Sequence, residues 1–183
     1  MTKVPDDFRT LFGAHASLLY KECQGYDTSL VRPFHLRDHI LEQTILPEDT
    51  NDENTLYAII KGLSERVAYK LRQRKQIADK IRLEVHYTDG YKSQRTGKIK
   101  GTDDLSAITE CKRLFEKANE RRNRVRTILV DVWSFQPYVF QEDLFSHVEE
   151  QNLSLSIAID KIRSKYGAHS LQTANVYQAL RQA

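Results

Sequence analysis

Apolar residues along the middle of the chain follow two periods in turn. Leu56, Ile59, Ile60, Leu63, Val67 and Leu71 recur at the spacing of an amphipathic helix. Leu105, Ile108, Cys111, Leu114, Phe115 and Ala118 do so again. Around these stretches the period drops to two. Ile81, Leu83, Val85 and Tyr87 alternate with Arg82, Glu84 and His86, and Ile128, Val130 and Val132 alternate within a strand from Val125 to Ser134. His39 to Leu46 predicts another strand, ending at Pro47, with Thr50, Asn51 or Asp52 capping the helix that follows. Asp89-Gly90 predicts a hairpin turn, and Tyr91 to Ile99 the returning strand. Gly101-Thr102-Asp103-Asp104 ends that strand and caps the second helix.

The order is β-α-β-β-α-β, an α+β class. Two helices that each carry one apolar stripe need a sheet face to cover them. The economical arrangement is one four-stranded sheet with both helices on one side. The other face then presents the alternate residues Arg82, Glu84, His86, Thr127, Leu129, Asp131 and Trp133 to solvent or to a partner.

The flanks read differently. Residues 1–31 form a helical end-piece, with Pro5 near its start, Leu11, Phe12, Leu18 and Leu19 to bury, Gly13 as a break and Gly25 as a stop. Residues 32–37, with Pro33, read as a linker to a domain over 38–136. Residues 137–183 read as a tail. Within it Leu155, Ile159, Ile162 and Tyr166 mark a short helix stopping at Gly167, and a loose polar end follows.

Composition removes whole classes of function. With 40% hydrophobic and 29% charged residues the chain is neither disordered nor, without any long apolar run, an integral membrane protein. MTKVPDDF is not a secretory signal. Cys23 and Cys111 are too isolated for a disulfide framework, and no Cys/His spacing suits zinc, so a reducing, cytoplasmic setting is expected. No phosphate-cradling loop, nucleophile elbow or closely set carboxylate pair on strands points to catalysis. We therefore expect no catalytic residue, no metal site and no cofactor in this chain.

Charge changes the picture more. Residues 1–60 hold 5 Lys/Arg against 10 Asp/Glu, residues 61–135 hold 19 against 10, and residues 136–183 hold 4 against 5. A basic middle between acidic flanks suits a polyanion. Its densest parts are Lys92-Ser93-Gln94-Arg95-Thr96-Gly97-Lys98-Ile99-Lys100 and Arg121-Arg122-Asn123-Arg124-Val125-Arg126. The first mixes neutral donors with cations, as phosphate oxygens require. The competing explanation is a solvated surface with helix-dipole complementarity. In the tail, Gln141-Glu142-Asp143-Leu144-Phe145 has the form of a docking peptide, a Gln followed three positions on by an apolar pair.

Taken in order, these features resemble the C-terminal part of a Y-family lesion-bypass DNA polymerase of the ImpB/MucB/SamB group. Leu11-Phe-Gly-Ala-His15 through Gln24-Gly-Tyr-Asp27 resembles the end of the thumb, although Ala16 and Tyr26 depart from the usual residues. Glu42-Gln-Thr44, Leu63 to Arg72 and Arg126 to Val132 resemble the first strand, first helix and last strand of the little finger. Gln43 to Pro47 and Thr102 to Phe115 are similar to the Gram-positive UV-damage-repair type, and Asp160 to Gly167 to the short helix beyond the clamp peptide.

The resemblance implies a little finger that grips template-primer DNA, and a parent polymerase whose palm and fingers, with magnesium, do the chemistry. It implies DNA contacts at Arg37, Lys92, Ser93, Gln94, Arg95, Arg124 and Arg126, to which the basic stretch adds Lys98. Asp38 departs from the pattern beside Arg37. It implies sliding-clamp contacts at Gln141, Leu144 and Phe145. Other partners it implies are the palm and fingers of the same polypeptide; no membrane is involved. A start at Met1 inside the thumb would mean an excised piece or a truncated frame. The alternatives are a stand-alone nucleic-acid- or clamp-binding regulator, an RNA-binding domain of the same strand order, and a ferredoxin-like small-molecule binder. The polar, basic third strand counts against RNA-binding by aromatic stacking.

Overall fold

A computed structural model describes residues 5–31, 33, 37–99, 101–138, 147–167 and 170–181. The chain forms two compact units, Met1–Leu36 and Arg37–Ala183.

In the first unit, α1 (Asp6–Phe12) and α2 (Ala16–Cys23) are separated by a 3-10 turn. Gly13 at φ +52° makes the break, and Gly25 at φ +84° the stop. Phe8 packs on Phe12 and Tyr20, with ring centroids 4.6 and 5.6 Å apart. Leu11 and Leu18, expected to be buried, are exposed within the unit.

The second unit has the expected order: β1 (His39–Thr50), α3 (Glu53–Arg74), β2 (Gln76–Tyr87), β3 (Lys92–Gly97), α4 (Asp104–Ala118) and β4 (Val125–Pro137). These make one antiparallel sheet in the order β1-β4-β2-β3. β1, β2 and β4 run further than their apolar alternation indicates, whereas β3 is shorter than the expected Tyr91 to Ile99. β1 passes through Pro47 because an edge strand can spare one N–H. β4 continues past Ser134, which takes a left-handed φ of 62°.

Both helices begin at an aspartate. The Asp52 carboxylate accepts from the Thr55 amide at 2.8 Å, and Asp103 from the Ser106 amide at 2.8 Å. Each cap satisfies an amide that the first turn would otherwise leave unpaired. The hairpin turns through Thr88 to Gly90, Gly90 holding φ +83°.

The core lies between the helices and one sheet face. Ile81, Leu83, Val85, Ile128, Val130 and Val132 face Leu56, Ile60, Leu63, Val67, Leu71, Ala107, Cys111, Leu114 and Phe115, all buried. Tyr57 meets Phe115 edge-on at 5.3 Å between centroids. Leu105 is a correction: it continues the α4 stripe in sequence, yet it is exposed, and Ala107 takes the buried place.

The tail is also corrected. Its helix, α5 (His147–Tyr166), is longer than the stripe suggests, and the end beyond it carries α6 (Ala174–Arg181). Val176 of α6 is buried against Gly62 of α3.

Candidate nucleic-acid interface

The sheet face away from α3 and α4 is where a large ligand can lie. Register sets its residues in rows, because directly opposed residues share a face. From one end the rows are His39–Trp133–Lys80, Leu41–Asp131–Arg82–Thr96, Gln43–Leu129–Glu84–Gln94 and Ile45–Thr127–His86–Lys92. At about 3.4 Å per residue the rows span roughly 20 Å.

Both carboxylates of these rows have partners, Asp131 a guanidinium and Glu84 an imidazole ring. Asp131, only 2% exposed, lies 2.8 Å from the Arg82 guanidinium, and the His39 ring nitrogen is 3.6 Å away. Glu84 meets His86 at 2.5 Å. Arg82 also stacks over Trp133, 5.6 Å from the ring centroid. The Asp131 charge on this face is therefore already met by Arg82.

Basic residues stand at the two ends of the stack of rows. Beside the last row, Arg121 reaches Asp89 of the hairpin turn at 2.5 Å and covers Tyr91, 3.8 Å from its centroid. Asn123 joins the same carboxylate at 2.8 Å, and the Thr88 amide donates to the Arg124 carbonyl at 3.0 Å. These bonds bring the two basic stretches together. The Tyr91 amide and Arg121 help hold the Asp89 carboxyl below its usual range.

Arg126 is the extra residue where β4 loses register with β2, between the partners of His86 and Tyr87. Such a bulge turns a side chain out of the pleat. Its guanidinium meets Asp49 at 2.9 Å, which lowers the Asp49 pKa and raises that of Arg126. Arg124 and Lys92 are exposed nearby. At the other end of the sheet lie exposed Arg37, two residues before β1, and exposed Lys98, just past β3. The Arg37 carbonyl accepts from Arg74 at 3.0 Å.

The pleat divides the four β3 candidates. Lys92 and Gln94 are on the open face, opposite His86 and Glu84. Ser93 and Arg95 oppose Val85 and Leu83 on the helix side. Ser93 is thus corrected as a side-chain contact, since it is 3% exposed and its hydroxyl is sealed from a phosphate. Arg95 bends to Glu120 and to the Gln94 carbonyl. The Tyr87 amide bonds to the Tyr91 carbonyl, so by alternation Ser93, Arg95 and Gly97 pair inward. The amides of Lys92, Gln94 and Thr96 consequently point to the outer edge of the sheet. Lys80 escapes a reading of the sequence because the apolar alternation begins only at Ile81; period two from Arg82 reaches it.

A sequence model of the impB/mucB/samB family C-terminal domain matches residues 37–144. The chain belongs to this family. Its second unit is the little finger of a Y-family polymerase, and the departures at Asp38 and in the first unit lie outside its sheet. A DNA polymerase IV of Oceanobacillus iheyensis is 25% identical over 170 residues, 89% of this chain and 41% of that protein. A protein named for UV-damage repair, UvrX of Bacillus subtilis, is 25% identical over 174 residues, 91% of this chain and 42% of the other. The chain thus spans about two-fifths of the length of these relatives.

Among solved structures, an insertion ternary complex of Dbh DNA polymerase aligns at TM-score 0.48 and 18% identity, over 72% of this chain and 38% of that one. A complex of beta-clamp processivity factor and the little finger domain of PolIV aligns at TM-score 0.45 and 14% identity, over 59% of this chain and 98% of that one.

Gln141, Leu144 and Phe145 lie outside the described residues, as does Lys100. Among the described residues no group of three His, Cys, Asp or Glu side chains is placed to hold a metal ion, and no helix is long and apolar enough to cross a membrane.

Proposed function

We propose that the open face of this little finger lies against template-primer DNA and holds its sugar-phosphate backbone. The carrying observation is that Asp131 is neutralised by Arg82 within the face and Glu84 is engaged by the His86 ring, while exposed cations stand at its ends. A polyanion meets little repulsion in the middle and attraction at both ends. Arg37, Lys92, Lys98, Arg124 and Arg126 are the cationic contacts, and Gln94 is a neutral one. The outward amides of β3 add donors without sequence preference. Arg126 exchanges Asp49 for phosphate at small cost, because an exposed ion pair screened by solvent contributes little.

The chemistry in this reading belongs to a palm and fingers of the parent polymerase, with magnesium held there. Gln141, Leu144 and Phe145 dock on a sliding clamp, the Gln at the polar edge and the apolar pair in the floor of a pocket.

Binding of duplex or primer-template DNA by the chain should weaken steeply with salt. Replacing Lys92, Lys98, Arg124 and Arg126 by Ala should flatten the slope of log affinity against log salt by roughly three to four units. An unchanged slope would remove the proposed surface. Replacing Leu144 and Phe145 by Ala should cost about 3 kcal/mol or more of clamp binding and leave DNA binding intact. Equal clamp binding by both forms would remove the peptide assignment.

A further inference from the structure

Each end of the open face carries a histidine. His39 begins the row His39–Trp133–Lys80, and His86 stands in the row Ile45–Thr127–His86–Lys92. Both rings meet a carboxylate of the face. The His86 Nε2 is 2.5 Å from Glu84, two residues back on the same strand. The His39 Nδ1 is 3.6 Å from Asp131 Oδ1. That oxygen is buried and has no hydrogen-bond partner among the described residues, because Arg82 takes the other one. The His39 side chain is 63% exposed and that of His86 25%, so both are open to solvent and to a ligand.

Residue type decides which groups of this face change charge near neutral pH. Lys and Arg stay charged to about pH 10, and ordinary carboxylates stay ionised above about pH 5. An imidazole titrates between about pH 5 and 8. Around His86 the charged groups are Glu84 on its own strand, Lys92 across on β3, Arg126 at the bulge of β4 and its partner Asp49 on β1. Asp89 of the hairpin is already held by Arg121 and Asn123. Around His39 they are Asp131 with Arg82, Lys80 at the end of the row, and Arg37 and Asp38 just before β1. Helices α3 and α4 lie on the other face. The charge that the open face presents therefore turns on these two rings.

We infer that His39 and His86 are proton-dependent contacts of the DNA surface, each adding a positive charge to one end of the face when it is protonated. The inference rests on the reading of the open face as the surface that holds the sugar-phosphate backbone. A neutral imidazole has one N–H to donate. At His86 the Glu84 carboxylate, which only accepts, claims that N–H for Nε2. A second proton, on Nδ1, supplies a donor for phosphate and turns the contact with Glu84 into an ion pair. At His39 the added charge is a surplus, because Arg82 already answers Asp131. Proton and DNA then reinforce each other, each raising the affinity for the other by the same factor.

Fluorescence anisotropy of a labelled primer-template duplex with the full chain, at about pH 6 and about pH 8 and constant salt, tests this. Wild type should bind about tenfold tighter at the lower pH. His39→Gln and His86→Gln should each lose more affinity at the lower pH than at the higher, and the double variant should be nearly flat between them. Acidification should steepen the salt slope of wild type by up to about one unit per ring and leave that of the double variant in place. His86→Lys, charged throughout, should carry the tighter binding to the higher pH. Wild-type affinity equal at both pH values overturns the inference and leaves the DNA surface standing. A pH dependence that survives the double variant also overturns it, since the protons then bind elsewhere. No DNA binding at either pH overturns the reading of the face, and the inference with it.

Discussion

Arg82 and Asp131 oppose each other on the two central strands, and their charged groups meet at 2.8 Å on the open face of the sheet. Asp131 is nearly buried while Arg82 is one-third exposed, so the pair is a half-sunken one. It fixes the guanidinium over Trp133 and cancels a carboxylate in the middle of the proposed DNA surface. Asp131→Asn keeps the shape and removes the charge. Breaking a buried pair costs about 3–5 kcal/mol, and solvent around Arg82 reduces that to roughly 1–2. The melting temperature should fall by roughly 2–8 °C. The released cation should steepen the salt dependence of DNA binding by up to about one unit. A gentler slope would show that Arg82 does not face phosphate.

The pleat of β3 gives a sharper test of the surface. Ser93→Ala should leave DNA affinity unchanged, because that hydroxyl is buried. It should not lower the melting temperature, since the hydroxyl has no hydrogen-bond partner among the described residues. Lys92→Ala should weaken binding and remove roughly one unit of salt slope. Titrations of the two variants at several salt concentrations separate the faces; a Ser93 effect equal to that of Lys92 would overturn the face assignment.

The α5 anchor makes stability pH-dependent in a definite direction. Burial pushes the Asp104 carboxyl above its usual range, against the pull of Arg72 at 2.8 Å, with Glu65 and Asp160 adding to the rise. Burial alone would lower Arg72, but its bonds to Asp160 and Asp104 outweigh that and its pKa rises. A carboxyl raised on folding binds its proton more tightly in the native state. Its contribution is therefore fully present below the unfolded pKa of about 3.9 and lost as pH rises through the folded value. Denaturation of wild type and Asp104→Asn across pH should show the wild-type advantage shrinking above about pH 4 and then levelling. An advantage that grows over that window would reverse the sign and rule out burial as the controlling effect.

Val176 decides whether the chain end is loose. It is 5% exposed on α6 and sits against Gly62 of α3. Val176→Asp should cost about 1.5–3 kcal/mol from lost burial, more if the carboxylate stays inside. Removing 170–183 should have a similar effect on the melting temperature. An unchanged melt for both would return the segment to a free tail.

Much of the fold was legible because burial leaves a period. Leu63, Val67 and Leu71 repeat as a helix must, and Ile81, Leu83 and Val85 as a strand must, so element order and the layered arrangement followed. Asp52 and Asp103 were within reach because capping is a local event of a few residues. Leu105 misled because a helical stripe is wider than the contact it makes. The tail misled for the opposite reason: α5 docks through Ser156, Asp160 and Arg163, and polar residues facing inward carry no hydrophobic period.

The sequence by itself determined the α+β class, the βαββαβ order, the basic middle and membership of the family, because propensity, period and charge are properties of neighbours along the chain. Only the tertiary structure decided which of Lys92, Ser93, Gln94 and Arg95 look outward, that Asp131 is answered by Arg82, and that Asp89 joins the two basic stretches through Arg121 and Asn123. Those are consequences of strand register and of loops meeting across more than thirty residues of separation. A one-residue change of register would invert every face, and no local pattern in β3, polar on both sides, was strong enough to fix it.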